Sequence, residues 1–146
     1  MQMQAGTRQL QNGDVMIVIP LEPRTKKNSL QIRKKKYIDD NLVAKERRFI
    51  SQSDQYKNYE KDCAIFLRHL DISDPVNVEA KFYMRTRRRV DLTNLNEALH
   101  DILVAGGILT DDNCRIIVST DGSCVYFDKD NPRTEVLITR REGTGF

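Results

Sequence analysis

Five carboxylates stand close together in residues 87–113, RRRVDLTNLNEALHDILVAGGILTDDN: Asp91, Glu97, Asp101, Asp111 and Asp112. A cationic run, Arg85 with Arg87, Arg88 and Arg89, is set against them. Two carboxylates about 4 Å apart repel by roughly 4 kcal/mol at an effective dielectric near 20. If Asp91, Asp112 and a third acid converge on folding, a cation must lie among them. Oxygen-only ligands, with no His or Cys, suit a hard ion such as Mg²⁺ or Mn²⁺ rather than zinc. Such an ion can activate a water and stabilise a phosphate oxyanion, and the arginines would hold phosphates that the acids alone repel. The plainer account makes Asp91 a helix cap, Glu97 and Asp101 a solvated face, and Asp111–Asp112 a turn. Taken singly, each plain reading wins; the cluster together with its arginines favours a phosphodiester site.

Positioning these groups is the task of the surrounding elements. Leu92, Leu95, Leu99, Ile102 and Leu103 fall on one stripe of a helix, with Asn94, Glu97 and Asp101 on another face. Gly106 and Gly107 offer a left-handed cap that releases the chain into ILTDDN. The strand VNVEAKFYMR, with Val76, Val78, Ala80, Phe82 and Met84 on one face, ends at the arginines. Upstream, VMIVIP (15–20) reads as a strand ended by Pro20, and PRTKKNSLQIRKKKYI as a loop with a short extended piece. Residues 53–70 read as an amphipathic helix behind a Ser53 cap, with Tyr56, Tyr59 and Cys63 facing a core. CRIIVST and CVYF suggest a hairpin around Asp121-Gly122, and TEVLITR a last strand. The sum is a single α+β domain over 1–146, a mixed β-sheet packed with helices, with residues 1–13 and 141–146 as mobile tails.

Composition bounds the partners. The chain of 146 residues is 39% hydrophobic, which suffices for a core without disulfides. Its three cysteines, Cys63, Cys114 and Cys124, form no CxxC pair and read as reduced thiols. No apolar run of membrane-spanning length and no signal-like start is seen, so a cytoplasmic protein without membrane contact is expected. The net charge of +3 is small, but cations crowd residues 24–48 as well as 85–89, pointing to a polyanion partner. GGILTDD lacks the Gly-Lys-Ser/Thr of a phosphate-binding loop, so no nucleotide cofactor is expected. DKDNPRTE has Pro132 and Arg133 where a calcium loop needs its turn glycine, and His69 and His100 suit structural or surface roles.

The segment from 87 to 113 resembles the central motif of RusA-type Holliday junction resolvases: an arginine run, an Asp-x-Asp-Asn-Leu helix start, an aspartate one helix-length on, and a Gly-then-Asp-Asp loop. IPLEPRTKKNS and SQSDQYKNYEKD resemble the family's first strand with its polar loop and the start of its first helix, so the likeness covers most of residues 15–139. It implies a homodimeric, Mg²⁺-dependent endonuclease that binds four-way DNA junctions and cuts opposed strands. By position it implies Asp91 and Asp112 as metal ligands, with Asn94, Asp101 and Asp111 as matching neighbours, of which Asp111 is expected to join the metal site. Two positions depart from the pattern. Thr93 stands where the family has a second metal-site aspartate, and Glu97 where it has a catalytic lysine. Positions 93 and 97 are one helical turn apart, and Glu reaches one methylene further than Asp, so Glu97 is expected to restore the missing ligand. Lys26 or Lys27 would take over the lost lysine's task; both are expected to contact DNA, as are Arg85, Arg87, Arg88 and Arg89. The alternatives are a non-catalytic DNA-binding protein of the same fold, or a basic RNA- or protein-binding module whose acids are only caps and turns.

Overall fold

A computed structural model of the chain describes residues 4–26, 30–52 and 54–146. Its centre is a six-stranded mixed sheet. β1 (Gly6–Gln9), β2 (Val15–Ile19), β8 (Arg133–Arg140) and β5 (Val76–Met84) pair antiparallel in that order, and β6 (Ile117–Ser119) and β7 (Cys124–Phe127) both run parallel to β5 at its far edge. Two helices, α1 (Asp54–Ala64) and α2 (Leu92–Ala105), cover one face. A separate two-stranded sheet, β3 (Leu30–Ile38) with β4 (Ala44–Gln52), completes the described elements.

Alternation explains the layering. In β2, β5 and β8 the residues Val15, Ile17, Ile19, Val76, Val78, Ala80, Phe82, Val136 and Ile138 share one face, and all are buried in one cluster with Tyr56, Tyr59 and Cys63 of α1 and the Leu95, Ala98, Leu99, Ile102, Leu103 stripe of α2. The helix periodicity and the strand periodicity thus meet in a two-layer α+β domain. Burying a Leu or Ile side chain of this kind stabilises by about 1.5–3 kcal/mol.

Several expectations are corrected. Residues 6–9, assigned to a mobile N-terminal tail, form β1 with a four-pair register on β2. The first helix ends at Ala64, not at Leu70: Ile65, Phe66 and Leu67 turn back by short-range hydrogen bonds, and Leu70 and Asp71 donate to the Gly107 carbonyl. The Ser53 cap lies outside the described residues. The basic stretch read mainly as a loop is the long strand β3. β6 and β7 do not form a hairpin; they lie end to end along β5, and the buried Asn77 fills the gap between them. Its Oδ1 accepts from the Ser119 hydroxyl at 2.6 Å and the Asp121 N–H at 2.8 Å, while its Nδ2 donates to the Asp121 carbonyl. The β5 ladder supplies what a hairpin partner would have supplied.

Candidate functional site

β5 delivers its chain end to the arginines, and the four diverge. Arg85 pairs with Glu22 at 3.7 Å, within a cleft of about 720 Å³. The Arg87 guanidinium lies 4.2 Å from the Phe127 ring centre. Arg88 and Arg89 join Arg24, Thr25, Gln55, Tyr56 and Val90 around a second cleft of about 400 Å³. That second cleft is therefore basic, and Asp91 follows its lining residue Val90 in sequence.

Asp91 occupies the N-cap position of α2, and its carbonyl accepts the first helical bond, from the Leu95 N–H at 3.1 Å. Its side chain makes no cap hydrogen bond; the exposed carboxylate accepts only from the Asn94 amide, at 3.2 Å, among the described residues. Placement as a cap was the plain reading, and the position fits it while the side chain does not perform it. An unused carboxylate at a helix N-terminus also gains from the helix dipole.

At the other end of α2, Gly106 keeps right-handed helical geometry, and Gly107, with φ of 80°, makes the left-handed exit. The following loop is pinned by the Ile72–Leu109 bridge and by the Thr110 N–H on the Ile72 carbonyl. Asp111 is absorbed by its own turn: it accepts from the Asp112 N–H at 2.7 Å and from the Asn113 amide at 2.9 Å, and these bonds hold its carboxyl below the ordinary value. Asp112 is exposed. Its charge and that of Asp101 both act on His100, whose pKa burial nevertheless lowers. The loop thus returns Asp112 to the polar flank of α2.

On that flank, Lys26 forms an ion pair with Asp101. Tyr56, fully buried, has its pKa raised by burial first, with Glu60, Asp101 and Glu97 among the added causes, so these acids lie on its side. Lys27 lies outside the described residues. The structure therefore brings Asp101 to Lys26 and Asp112 towards His100, and it places Arg88, Arg89 and Arg24 at the foot of α2. Among the described residues, no group of three or more His, Cys, Asp or Glu is gathered closely enough to hold a metal ion, so Asp91, Asp112 and Glu97 do not form a ready cage. Their donor chemistry is that of a hard ion: all oxygen, with Asp91, Glu97 and Asp112 exposed.

Sequence reasoning did not single out Arg24 in the basic cleft. It also missed the Arg133 network: Nε donates to Glu135 and Nη1 to Asp128, both at 2.9 Å, while the guanidinium stacks 3.7 Å from the Tyr83 ring centre. The only signal for it was a turn, DKDNPR, read for calcium and set aside. No helix among the described residues is long and apolar enough to cross a membrane.

Comparison with known proteins bears on the same residues. The model of a family described as endodeoxyribonuclease RusA matches residues 20–139, a span that takes in the basic cleft, α2 and the Asp111–Asp112 loop. Among curated proteins, none matches the chain.

Proposed function

We propose that this chain, which belongs to the endodeoxyribonuclease RusA family, hydrolyses phosphodiesters in four-way DNA junctions. The observation that carries the reading is that Arg24, Arg88 and Arg89 line one cleft while Asp91, two residues after Arg89, keeps an exposed carboxylate that makes no cap hydrogen bond. Arginine forks suit phosphate oxygens, and such contacts fix the register of a duplex without reading its sequence.

The cofactor in this reading is Mg²⁺ or Mn²⁺. Mg²⁺ keeps several waters and is commonly bound by one or two carboxylates together with substrate phosphates, so it does not require a three-acid cage in the free protein. Asp91 and Asp112 would hold it, with Glu97 in the place of the aspartate that Thr93 replaces. Bound there, the ion would supply a water of lowered pKa and a Lewis acid at the phosphate. Asp111 contributes by fixing the loop, since both its oxygens are engaged. Lys26, held on the flank of α2 by Asp101, is the cation placed to neutralise charge at the scissile phosphate, with Lys27 the neighbouring candidate. A homodimer would set two such sites on opposed strands of a junction.

A labelled four-way junction incubated with Mg²⁺ or Mn²⁺ tests this. Paired nicks are expected, abolished by Asp112→Asn and strongly reduced by Glu97→Gln. The second reading, a junction-binding protein that has lost cleavage, draws on Thr93 and on the absence, among the described residues, of a three-acid group. It is favoured if the junction is bound tightly yet remains intact with either ion.

A further inference from the structure

β3 and β4 form an arm in which no described side chain is buried. Their strands pair only with each other, over nine residue pairs from Leu30↔Gln52 to Ile38↔Ala44. At roughly 3.3 Å per residue each strand is about 30 Å long, comparable with one turn of B-form DNA at about 34 Å. From residue 34 to 48 every described side chain except Asp39 is exposed, on both faces of the ribbon. A two-stranded hairpin gains little stability in water by itself, so a sequence selected only for stability would place opposite charges across it.

This one does so at Lys36 and Glu46 and does the reverse at the two neighbouring pairs. Lys34 stands opposite Arg48 and Lys35 opposite Arg47, like charges on directly facing positions, which weakens a strand pair. Residues 34–48 hold six cations, Lys34, Lys35, Lys36, Lys45, Arg47 and Arg48, against three acids, Asp39, Asp40 and Glu46. The excess of three equals the net charge of the entire chain. Lys45 is spoken for by Asp39 at 3.0 Å, and Lys34 leans on Glu46 at 3.9 Å. Lys35, Lys36, Arg47 and Arg48 are ion-paired with no described residue. The tip is closed by Asp39, whose Oδ1 accepts from the Asn41 and Val43 N–H groups, and by Leu42 at φ of 61°. The tip is therefore held in shape, while four cations along the strands have no ion-pair partner among the described residues.

In sequence the arm lies between two segments of the candidate site. The chain enters the arm after Arg24 and Lys26, which lie on the basic cleft and on Asp101, and it leaves into α1, whose Gln55 and Tyr56 line the same cleft. We infer that the β3–β4 arm is a phosphate clamp: it lies along the backbone of the duplex leading away from the cut and holds it through Lys34 and Arg48 on one face or Lys35 and Arg47 on the other. Duplex DNA presents a unit charge about every 1.7 Å along its axis, the density that a ribbon with uncompensated cations complements. The inference rests on the nuclease reading for where the clamp acts, but its ligand is a duplex backbone whether or not the strand is cut.

The experiment compares the full-length protein with two variants, Lys34→Gln/Arg48→Gln and Lys35→Gln/Arg47→Gln. Each removes a facing like-charge pair, the first together with the Lys34–Glu46 contact, so amide exchange within the arm of the second variant should be no faster than in the parent. Affinity for a four-way junction and for one linear duplex is measured from 50 to 200 mM salt. Losing two phosphate contacts lowers the logarithmic salt slope by about 1.8, so the salt-dependent loss of affinity over that range shrinks by roughly tenfold. This is expected, on both DNAs, for the variant whose face meets the backbone, or for both if the ribbon sits in a groove. Unchanged slopes in both variants overturn the clamp. If the parent neither nicks nor prefers junctions, the nuclease reading fails, and the slopes on linear duplex still decide the arm.

Discussion

Gly107 offers the most direct test of how the loop acid reaches α2, because one substitution separates backbone strain from side-chain crowding. At φ of 80° it occupies the left-handed region, and a Cβ there would stand 2.1 Å from His69 Nδ1. The His69 side chain is 79% exposed, so its ring can swing into solvent at little cost; the backbone has no such escape. Holding an L residue in the left-handed region costs roughly 1–2 kcal/mol, and the stiffer unfolded chain of alanine offsets about 0.4–1 kcal/mol of that. Gly107→Ala should therefore lose about 1 kcal/mol, or about 3 °C in Tm for a domain of this size. The Gly107 carbonyl also receives the Leu70 and Asp71 N–H groups, each at 2.9 Å, so relaxation there displaces the start of the loop that carries Asp112. A displacement near 1 Å at a reacting group can cost on the order of 100-fold in rate, so junction cleavage should fall far more than stability. Gly107→Asn adds the same Cβ but tolerates the left-handed region, and it should recover most of the lost Tm. If alanine melts with the parent, or if asparagine melts as low as alanine, the left-handed exit is not what sets this loop and the reasoning fails.

Other outcomes follow from the same geometry. Lys26→Met should reduce junction cleavage while changing stability by less than about 1 kcal/mol, since both Lys26 and Asp101 are partly exposed; a drop of many degrees in a thermal melt would make the pair structural instead. Cys63 is buried and its thiol pKa is pushed up to about 12, whereas Cys114 and Cys124 are exposed. A thiol reagent at pH 8 should therefore modify two cysteines per folded chain quickly and the third only on unfolding, as read by mass spectrometry. Arg133, 2.9 Å away, holds the Asp128 carboxyl below its ordinary value of 3.8. A depressed folded pKa means a contribution fully present above 3.8 and lost as pH falls through the lower folded value. Asp128→Asn should thus flatten the acid side of the Tm–pH curve below pH 4 and leave the neutral side parallel to the parent's.

Much of the scaffold was legible because burial imposes a period. α2 and β5 each have one face in the core, and the Leu92 to Leu103 stripe and the Val76 to Met84 alternation record it in residue types. The β3–β4 arm has no such record. Its described side chains face water on both sides, so nothing selects an apolar alternation, and the run from Arg33 to Lys36 reads as a solvated loop. The end of α1 misled for the opposite reason. Phe66, Leu67 and Leu70 do pack against the core, at spacings that continue the helix, but they do so from a turning segment tied to Gly107. Asp121-Gly122 is a turn, as its residue types demand, closed by the Ser123 N–H on the Thr120 carbonyl at 3.2 Å, yet the strands on either side pair with β5 and not with each other, and Asn77, forty-four residues upstream, holds the turn to β5.

The candidate site divides along the same line. Which residues could bind a phosphate or a hard cation depends on side-chain chemistry, and that is written in the sequence: three arginines, then an aspartate with no hydrophobic task. Which of them meet depends on contacts between elements that carry no charge at all. Asp112 comes back to α2 because Gly107 turns left and Leu109 bridges to Ile72. Lys26, in the segment that follows β2, pairs with Asp101 of α2, and β2 and α2 share one core. Spacing along α2 placed Glu97 one turn from Thr93, but a ligand set also needs Asp91 and Asp112, from a helix start and a distant loop, to approach together. Among the described residues no three acids do so. Like charges drawn together without a counterion repel by several kcal/mol at short range, so exposed carboxylates awaiting a metal are expected to stay apart. Phosphate drawn in by Arg24, Arg88 and Arg89 would add oxygen ligands of its own, which makes DNA and metal binding at this site mutually reinforcing: Mn²⁺ affinity should rise in the presence of a junction and be equal with and without it in an Arg88→Gln/Arg89→Gln variant.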